Sequence, residues 1–129
     1  MNEIGNKLFP PETVTRFIFS ERHYAVTSGR VKYPAFLPKD GKASVFRIIS
    51  LTSEQTWTIG YYVAKEGSRT LRARGDLVAS DVFDESLGIE SDTRRHRLHA
   101  NIVGWPSHKA KIKLLAIKLA DKAQLYLKP

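Results

Sequence analysis

Three side chains two residues apart, Arg97, His99 and Asn101, are the first candidates for chemistry in this chain. In a strand, that spacing sets all three on one face. A guanidinium grips phosphate through paired hydrogen bonds. An imidazole titrating near neutrality can take or give a proton. With Arg72 and Arg74 on a neighbouring strand, such a face would suit metal-independent cleavage of RNA. One group would deprotonate the 2′-hydroxyl, another would protonate the leaving oxygen, and arginine or lysine would steady the charge building on phosphorus. His23 and Lys32, in a long loop, are candidates for the second group. The expected catalytic residues are therefore His99 and His23. The same pattern also describes an ordinary solvent-facing side of a sheet, where alternation alone places polar residues.

Charge supports a polyanionic partner. The net charge is +8 over 129 residues. Residues 93–129 hold nine lysines and arginines against one acid, Asp121, so the whole excess lies there and residues 1–92 balance. Such asymmetry suggests a directed field. The expected nucleic-acid contacts are Arg72, Arg74, Arg94, Arg95, Arg97, Asn101, Lys32, Lys109, Lys111 and Lys113. Tyr24, Tyr33, Phe36 and Trp105 lie among bases and could stack unpaired nucleobases, which favours RNA over DNA. Two alternatives stay open. The basic helix is solvated and has no partner, or it docks on an acidic protein or on a second copy of itself.

Metal chemistry finds little support. His96 and His99, three apart in a strand, point to opposite faces, and no carboxylate completes a zinc motif. Asp76, Asp81, Asp84 and Glu85 cluster in sequence without a lysine at a telling spacing, and internal pairing or helix capping is the expected role. No metal and no cofactor is expected. Phosphate-binding glycine loops, dinucleotide fingerprints, nucleophile elbows and kinase motifs are absent from the sequence. There is no cysteine, which excludes disulfides and a thiol nucleophile. No run of about 18 apolar residues is present, so no membrane partner is expected. Residues 1–7 are polar and lack the apolar core of a signal peptide, so a cytoplasmic protein is expected.

The elements that would hold these residues form one α+β domain over residues 1–129, with residues 1–9 as a flexible tail. Pro10-Pro11 and Glu12 suggest a short helix from Glu12 to Phe19, although its β-branched and aromatic content also permits a strand. Residues 20–42 read as a basic loop containing His23. Ala43 to Leu51 reads as a strand covered on both faces, in which Arg47 needs a partner if buried. Thr52 and Gln55 make a capping box for a helix to about Lys65, with Trp57, Tyr61 and Ala64 facing the core. Gly60 weakens that helix by about 1 kcal/mol relative to alanine. Arg69 to Ala79 alternates as a strand, with a bulge suggested at Gly75. A helical turn over residues 80–83 follows. Leu98 to Gly104 alternates again. Ser107 would cap a long C-terminal helix, His108 to about Leu127, striped by Ile112, Leu115, Leu119, Ala123 and Tyr126. Three or four mostly antiparallel strands with helices packed on them are expected.

Ser44-Val45-Phe46-Arg47, Trp57, Arg72-Ala73-Arg74-Gly75-Asp76-Leu77 and the run from His99 to Pro106 together resemble a set of small bacterial proteins without an assigned activity. The likeness covers most of the chain and implies no site residues. The expectation is thus a bacterial protein that contacts RNA through residues 94–113 and the loop His23–Lys42. Its enzymatic version is a small ribonuclease of a toxin or phage-defence system. Its alternative is a protein-interaction module.

Overall fold

Pro10-Pro11 leads into a strand rather than a helix. In the computed structural model, which describes residues 8–129, β1 runs Thr13–Ile18. Val14, Thr15, Phe17 and Ile18 are all buried, because both faces of this strand are covered. A doubly covered strand loses its alternation, and apolar residues at 14, 17 and 18 also satisfy a helix. The β-branched side chains of Thr13, Val14, Thr15 and Ile18 pack well on a pleated surface. The expected tail lies, up to residue 7, outside the described residues, while Leu8 is already buried in the core.

The order then runs β2 (Tyr24–Ala25), β3 (Arg30–Val31), β4 (Ala43–Arg47), α1 (Ser53–Glu66), β5 (Ala73–Val78), α2 (Ala79–Phe83), β6 (Gly88–Ser91), β7 (His99–Val103), α3 (Lys109–Lys122) and β8 (Gln124–Leu127). Two 3-10 turns, Glu21–His23 and Tyr33–Phe36, lie in the basic loop, which also carries the β2–β3 ribbon. The main sheet has six strands in the order β6-β7-β4-β1-β5-β8, every pair antiparallel. The expected three or four strands fall short because β1 was read as helix and β8 as the end of α3. Ala123 leaves the helix with φ −73° and ψ 140°, and Leu127 pairs with Ala73. Tyr126 therefore sits in an edge strand, not on the helix stripe. Gly75 pairs with Arg16 in an unbroken register, so no bulge forms there.

One sheet face carries α1 over Phe17, Phe46, Ile48, Leu71 and Leu98. The other carries α3, α2 and the Tyr33–Phe36 turn over Val14, Ile18, Val45, Leu77 and Ile102. The capping box at α1 forms: Thr52 Oγ1 accepts from the Gln55 amide at 3.1 Å, and Gln55 Oε1 accepts from the Thr52 amide at 2.9 Å. Trp57 and Ala64 are buried, but Tyr61 is 46% exposed. Gly60 lets the helix approach closely, since a Cβ there would stand 2.7 Å from Phe17 Cε1. No helix among the described residues is long and apolar enough to cross a membrane.

The register gives the sheet two ends that matter below. At one end Ile18 pairs with Ala73, and Ala43 pairs with Ile102. At the other Thr13 pairs with Val78, and Phe46 pairs with His99. The second end is closed by a buried ion pair. Arg47 Nε and Nη2 donate to Glu12 Oε1 and Oε2 at 2.5 and 3.0 Å, and Glu12 is 0% exposed. Glu12 therefore answers Arg47 rather than a helix dipole. Removing one partner of such a pair leaves the other charged and enclosed. Glu12→Ala is expected to lower the unfolding free energy measured in urea by about 3–5 kcal/mol. Glu12→Leu combined with Arg47→Met should recover most of that loss, and a negligible effect of the single change would mean that water reaches Arg47.

Candidate anion-binding site

The sheet order separates the residues first expected to converge. β4 and β1 lie between β5 and β7, so Arg72 and Arg74 do not stand beside Arg97 and His99. Both nitrogens of His99 are engaged. Its Nδ1–H donates to the main-chain oxygen of Asp92 at 2.9 Å, which leaves Nε2 to accept from the Ser44 hydroxyl at 2.7 Å. Its ring packs against Phe46 at 5.3 Å. Asn101 is buried between Ser44 and Glu90 in the ladder. Arg94 donates two hydrogen bonds to Asp92, at 2.8 and 2.7 Å, and these hold the Asp92 carboxyl well below the usual carboxylate range. Arg95 and Arg97 are exposed and carry no ion pair among the described residues. Apart from Asn101, which pairs with Ser44 nearer the Ile18 end, these groups sit at the Thr13 end.

Arg74 is enclosed rather than presented to solvent. Its guanidinium lies between the rings of Trp57 and Tyr126, at 4.9 and 4.8 Å, and Nε donates to Asp76 at 3.2 Å. Burial raises the Asp76 carboxyl, against the lowering effect of hydrogen bonds from Thr15 and Arg74. Of the other acids, Glu85 and Asp81 pair with α3 rather than with the basic strand: Lys118 with Glu85 at 3.4 Å and Lys122 with Asp81 at 3.7 Å.

At the Ile18 end the structure does gather cations. Arg16, Arg69, Arg72 and His23 line one cavity of about 390 Å³, with Phe17, Phe19, Ser20 and Thr70. Arg16 projects from the middle of β1. Its Nε donates to the Ala35 carbonyl and its Nη1 to the Ser44 carbonyl, each at 2.9 Å. Burial, and then the neighbouring Arg69, lower its pKa to about 10, so it stays charged at neutral pH. Arg69 leaves the end of α1 with its guanidinium 3.9 Å from the Phe19 ring centre. Gly67 permits that fold-back, since a Cβ there would lie 2.6 Å from Arg69 Nε. Arg72 donates to the Phe19 carbonyl at 3.2 Å and to Glu21 at 2.9 Å. His23 comes from the 3-10 turn that Ser20 caps by accepting from the Arg22 amide. Burial and the Arg16 charge lower its pKa, so the ring is neutral near pH 7.

Among the described residues, no carboxylate pairs with Arg16 or Arg69. Carbonyl oxygens accept from Nε and Nη1 of Arg16 but do not neutralise its charge. A cleft lined by one sign of charge with low-dielectric walls concentrates counter-ions. The arrangement can therefore hold an anion with several oxygen acceptors, and phosphate matches the guanidinium fork.

Further cations surround this end. The Lys32 amide donates to the His23 carbonyl at 2.8 Å, and its side chain is exposed. The Tyr33–Phe36 turn carries Ala35, the partner of Arg16, and packs on both the Glu21–His23 turn and α3. Lys113 lies 5.1 Å from the Tyr33 ring centre. Lys109, Lys111 and Lys113 are exposed in the first turns of α3, which has no acid in its first turn. His108 rather than Ser107 stands at the N-cap and makes no side-chain cap. Three lysines beside the positive end of a helix repel it and one another, and an anion would relieve both.

Of the expected contacts, His23, Arg72, Lys32, Lys109, Lys111 and Lys113 thus share one end. His99, Arg94, Arg95 and Arg97 share the other, and Asn101 is buried in the ladder between them. Arg16 and Arg69 were missed. The available signal was a lone cation amid the buried run Val14–Ile18, the same signal that marked Arg47. No family model matches the chain, and no curated protein or solved structure matches it.

Two histidines make stability depend on pH in a definite direction. His96 Nδ1 accepts from the Leu98 amide at 3.0 Å, and burial, then Arg97 and His99, lower its pKa. His23 is lowered as well. A histidine whose folded pKa lies below its unfolded value of about 6.5 binds protons more readily when unfolded. Its stabilisation is complete above that pH and is lost as the pH falls towards the folded pKa. The urea midpoint should therefore drop between pH 7.5 and 5.5, and His96→Gln should flatten that dependence. A midpoint that rises on acidification would contradict the assignment.

Proposed function

We propose that the protein binds nucleic acid, RNA before DNA, by seating a backbone phosphate among Arg16, Arg69, Arg72 and His23. Lys32, Lys109, Lys111 and Lys113 contact neighbouring phosphates. The observation that carries this reading is the pair of guanidiniums, Arg16 and Arg69, facing one cavity with no carboxylate partner among the described residues. A concave seat favours a flexible single strand, whose backbone can bend into it, over a stiff duplex. A cytoplasmic setting belongs to the same proposal.

Binding fits the geometry better than cleavage. A neutral His23 can accept a proton from a 2′-hydroxyl, and guanidiniums can steady charge on phosphorus. His99 sits at the opposite end with both nitrogens bonded, which leaves Lys32 as the expected candidate near His23 to protonate the leaving oxygen. A ribonuclease of a toxin or phage-defence system remains the enzymatic form of the proposal, with His23 as its base.

One observation favours a second reading. β8 is an edge strand that exposes Tyr126 and Leu127, and an open edge can pair with a second copy or an acidic partner segment.

Anisotropy titrations with labelled single-stranded RNA, single-stranded DNA and duplex DNA, with and without chelator, separate these readings. Arg69→Ala is expected to weaken RNA binding by about tenfold or more, as for loss of a charge-assisted hydrogen bond. It should also reduce the salt slope by about one. Arg95→Ala and Arg97→Ala should change affinity by less than about threefold. Intact RNA is expected at the end of each titration. Chelator-resistant cleavage abolished by His23→Ala would establish the enzymatic form, and no binding to any of the three would refute the proposal.

A further inference from the structure

A second cavity opens beside the first, on the α1 face of β8. It measures about 550 Å³ and is lined by Glu54, Trp57, Thr58 and Tyr61 of α1 and by Tyr126 and Leu127 of β8, among others. Backbone contacts tie it to the arginine pocket. Leu127 pairs with Ala73, and the Lys128 amide donates to the Arg72 carbonyl at 3.1 Å. Arg72 lines the pocket that holds Arg16, Arg69 and His23.

The two cavities are opposite in chemistry. The arginine pocket is cationic. In the second, Glu54 is the one charged side chain among the described residues, and it repels phosphate. Its walls are aromatic, and their positions are held. The Arg74 guanidinium lies between the Trp57 and Tyr126 rings, and its Nη1 has no hydrogen-bond partner among the described residues. Two rings clamped on one buried cation keep their places without a ligand. Tyr61 and Tyr126 are nonetheless 46% and 44% exposed, an apolar surface open to solvent at the mouth of a cavity. Aromatic faces accept any flat π-system, and the Glu54 carboxylate and the Thr58 and Tyr61 hydroxyls can meet the N–H edge of a base.

We propose that this aromatic slot takes an unpaired nucleobase of the same strand whose phosphate occupies the arginine pocket. The inference rests on the nucleic-acid reading above and adds to it a division of labour. One cavity takes charge and the other takes a ring, so the protein grips a single strand and not a paired one. Paired bases are stacked on each other and offer no free face to the slot.

The test compares two oligonucleotides of equal length and phosphate count, an adenosine hexamer and an abasic hexamer, by calorimetry on the full chain. The adenosine hexamer is expected to bind about tenfold more tightly, the advantage that base–aromatic stacking confers. The double change Tyr61→Ala with Tyr126→Ala should erase that advantage and leave abasic binding unchanged. Tyr61→Ala alone should reduce it, which keeps the test valid if the edge strand tolerates Tyr126→Ala poorly. Equal affinity for the two oligomers, or an advantage that survives both tyrosine changes, would overturn the slot. A third arm separates this failure from failure of the arginine pocket. Free adenosine, which carries no phosphate, is titrated against a Trp105→Phe variant, in which Trp57 is the sole tryptophan. Quenching of Trp57 that the tyrosine changes abolish supports the slot even if Arg69→Ala leaves abasic binding unaltered. No quenching, together with equal hexamer affinities, refutes the slot whatever the arginines do.

Discussion

A charged guanidinium set into the central strand of a sheet has few ways to survive there. Arg47 takes the usual one, a carboxylate in bidentate contact. Arg16 takes another: two main-chain oxygens accept its hydrogen bonds and its charge is left standing. The two arginines sit on the same sheet face, Arg16 in the middle of β1 and Arg47 at the Thr13 end of the adjacent β4, and that difference polarises the molecule. The Thr13 end is closed and locally neutral around Glu12 and Arg47. The Ile18 end keeps a positive potential, which Arg69, Arg72 and the lysines of α3 reinforce.

Connectivity then decides which cations cooperate. The run from Arg94 to Lys113 looks like one basic surface in the sequence, but β7 crosses the sheet in the middle of it. Arg94, Arg95 and Arg97 precede β7 at one end, and Lys109, Lys111 and Lys113 follow it at the other. In their place the second end recruits Arg16 from β1, His23 from the loop and Arg69 and Arg72 from the approach to β5. The opposite halves of α3 behave differently for the same reason. Lys118 and Lys122 meet the acids of the α2 region and are partly neutralised, while the first three lysines make no ion pair among the described residues.

Legibility in the sequence followed how local each signal is. The capping box at Thr52 and the alternation of residues 98–104 are written in adjacent residues and formed as expected; α3 begins one residue later than expected and without the Ser107 cap. β1 and β8 were hidden because their strand character comes from neighbours far away: coverage on both faces for β1, and pairing with residues 73–76 for β8. The single α+β domain with a helix near the C-terminus was readable, but the number of strands was not. Half of the candidate site was readable. His23, Arg72 and Lys32 stood out by residue type in a basic loop and strand. Arg16 was invisible as a ligand group once Glu12–Phe19 was read as a helix. His99 looked catalytic by spacing, yet its hydrogen bonds to Ser44 and Asp92 are set by strand partners that spacing cannot reveal.

The claim that one end of the sheet, and not the basic run as a whole, meets phosphate can be read directly from the arginine side chains. Nε–H resonances of the ¹⁵N-labelled protein would be followed during titration with a short RNA. Shifts at Arg16, Arg69 and Arg72, with the His23 ring moving alongside and Arg94, Arg95 and Arg97 still, are the predicted result. Shifts confined to Arg94, Arg95 and Arg97, with Arg16 and Arg69 unmoved, would contradict it.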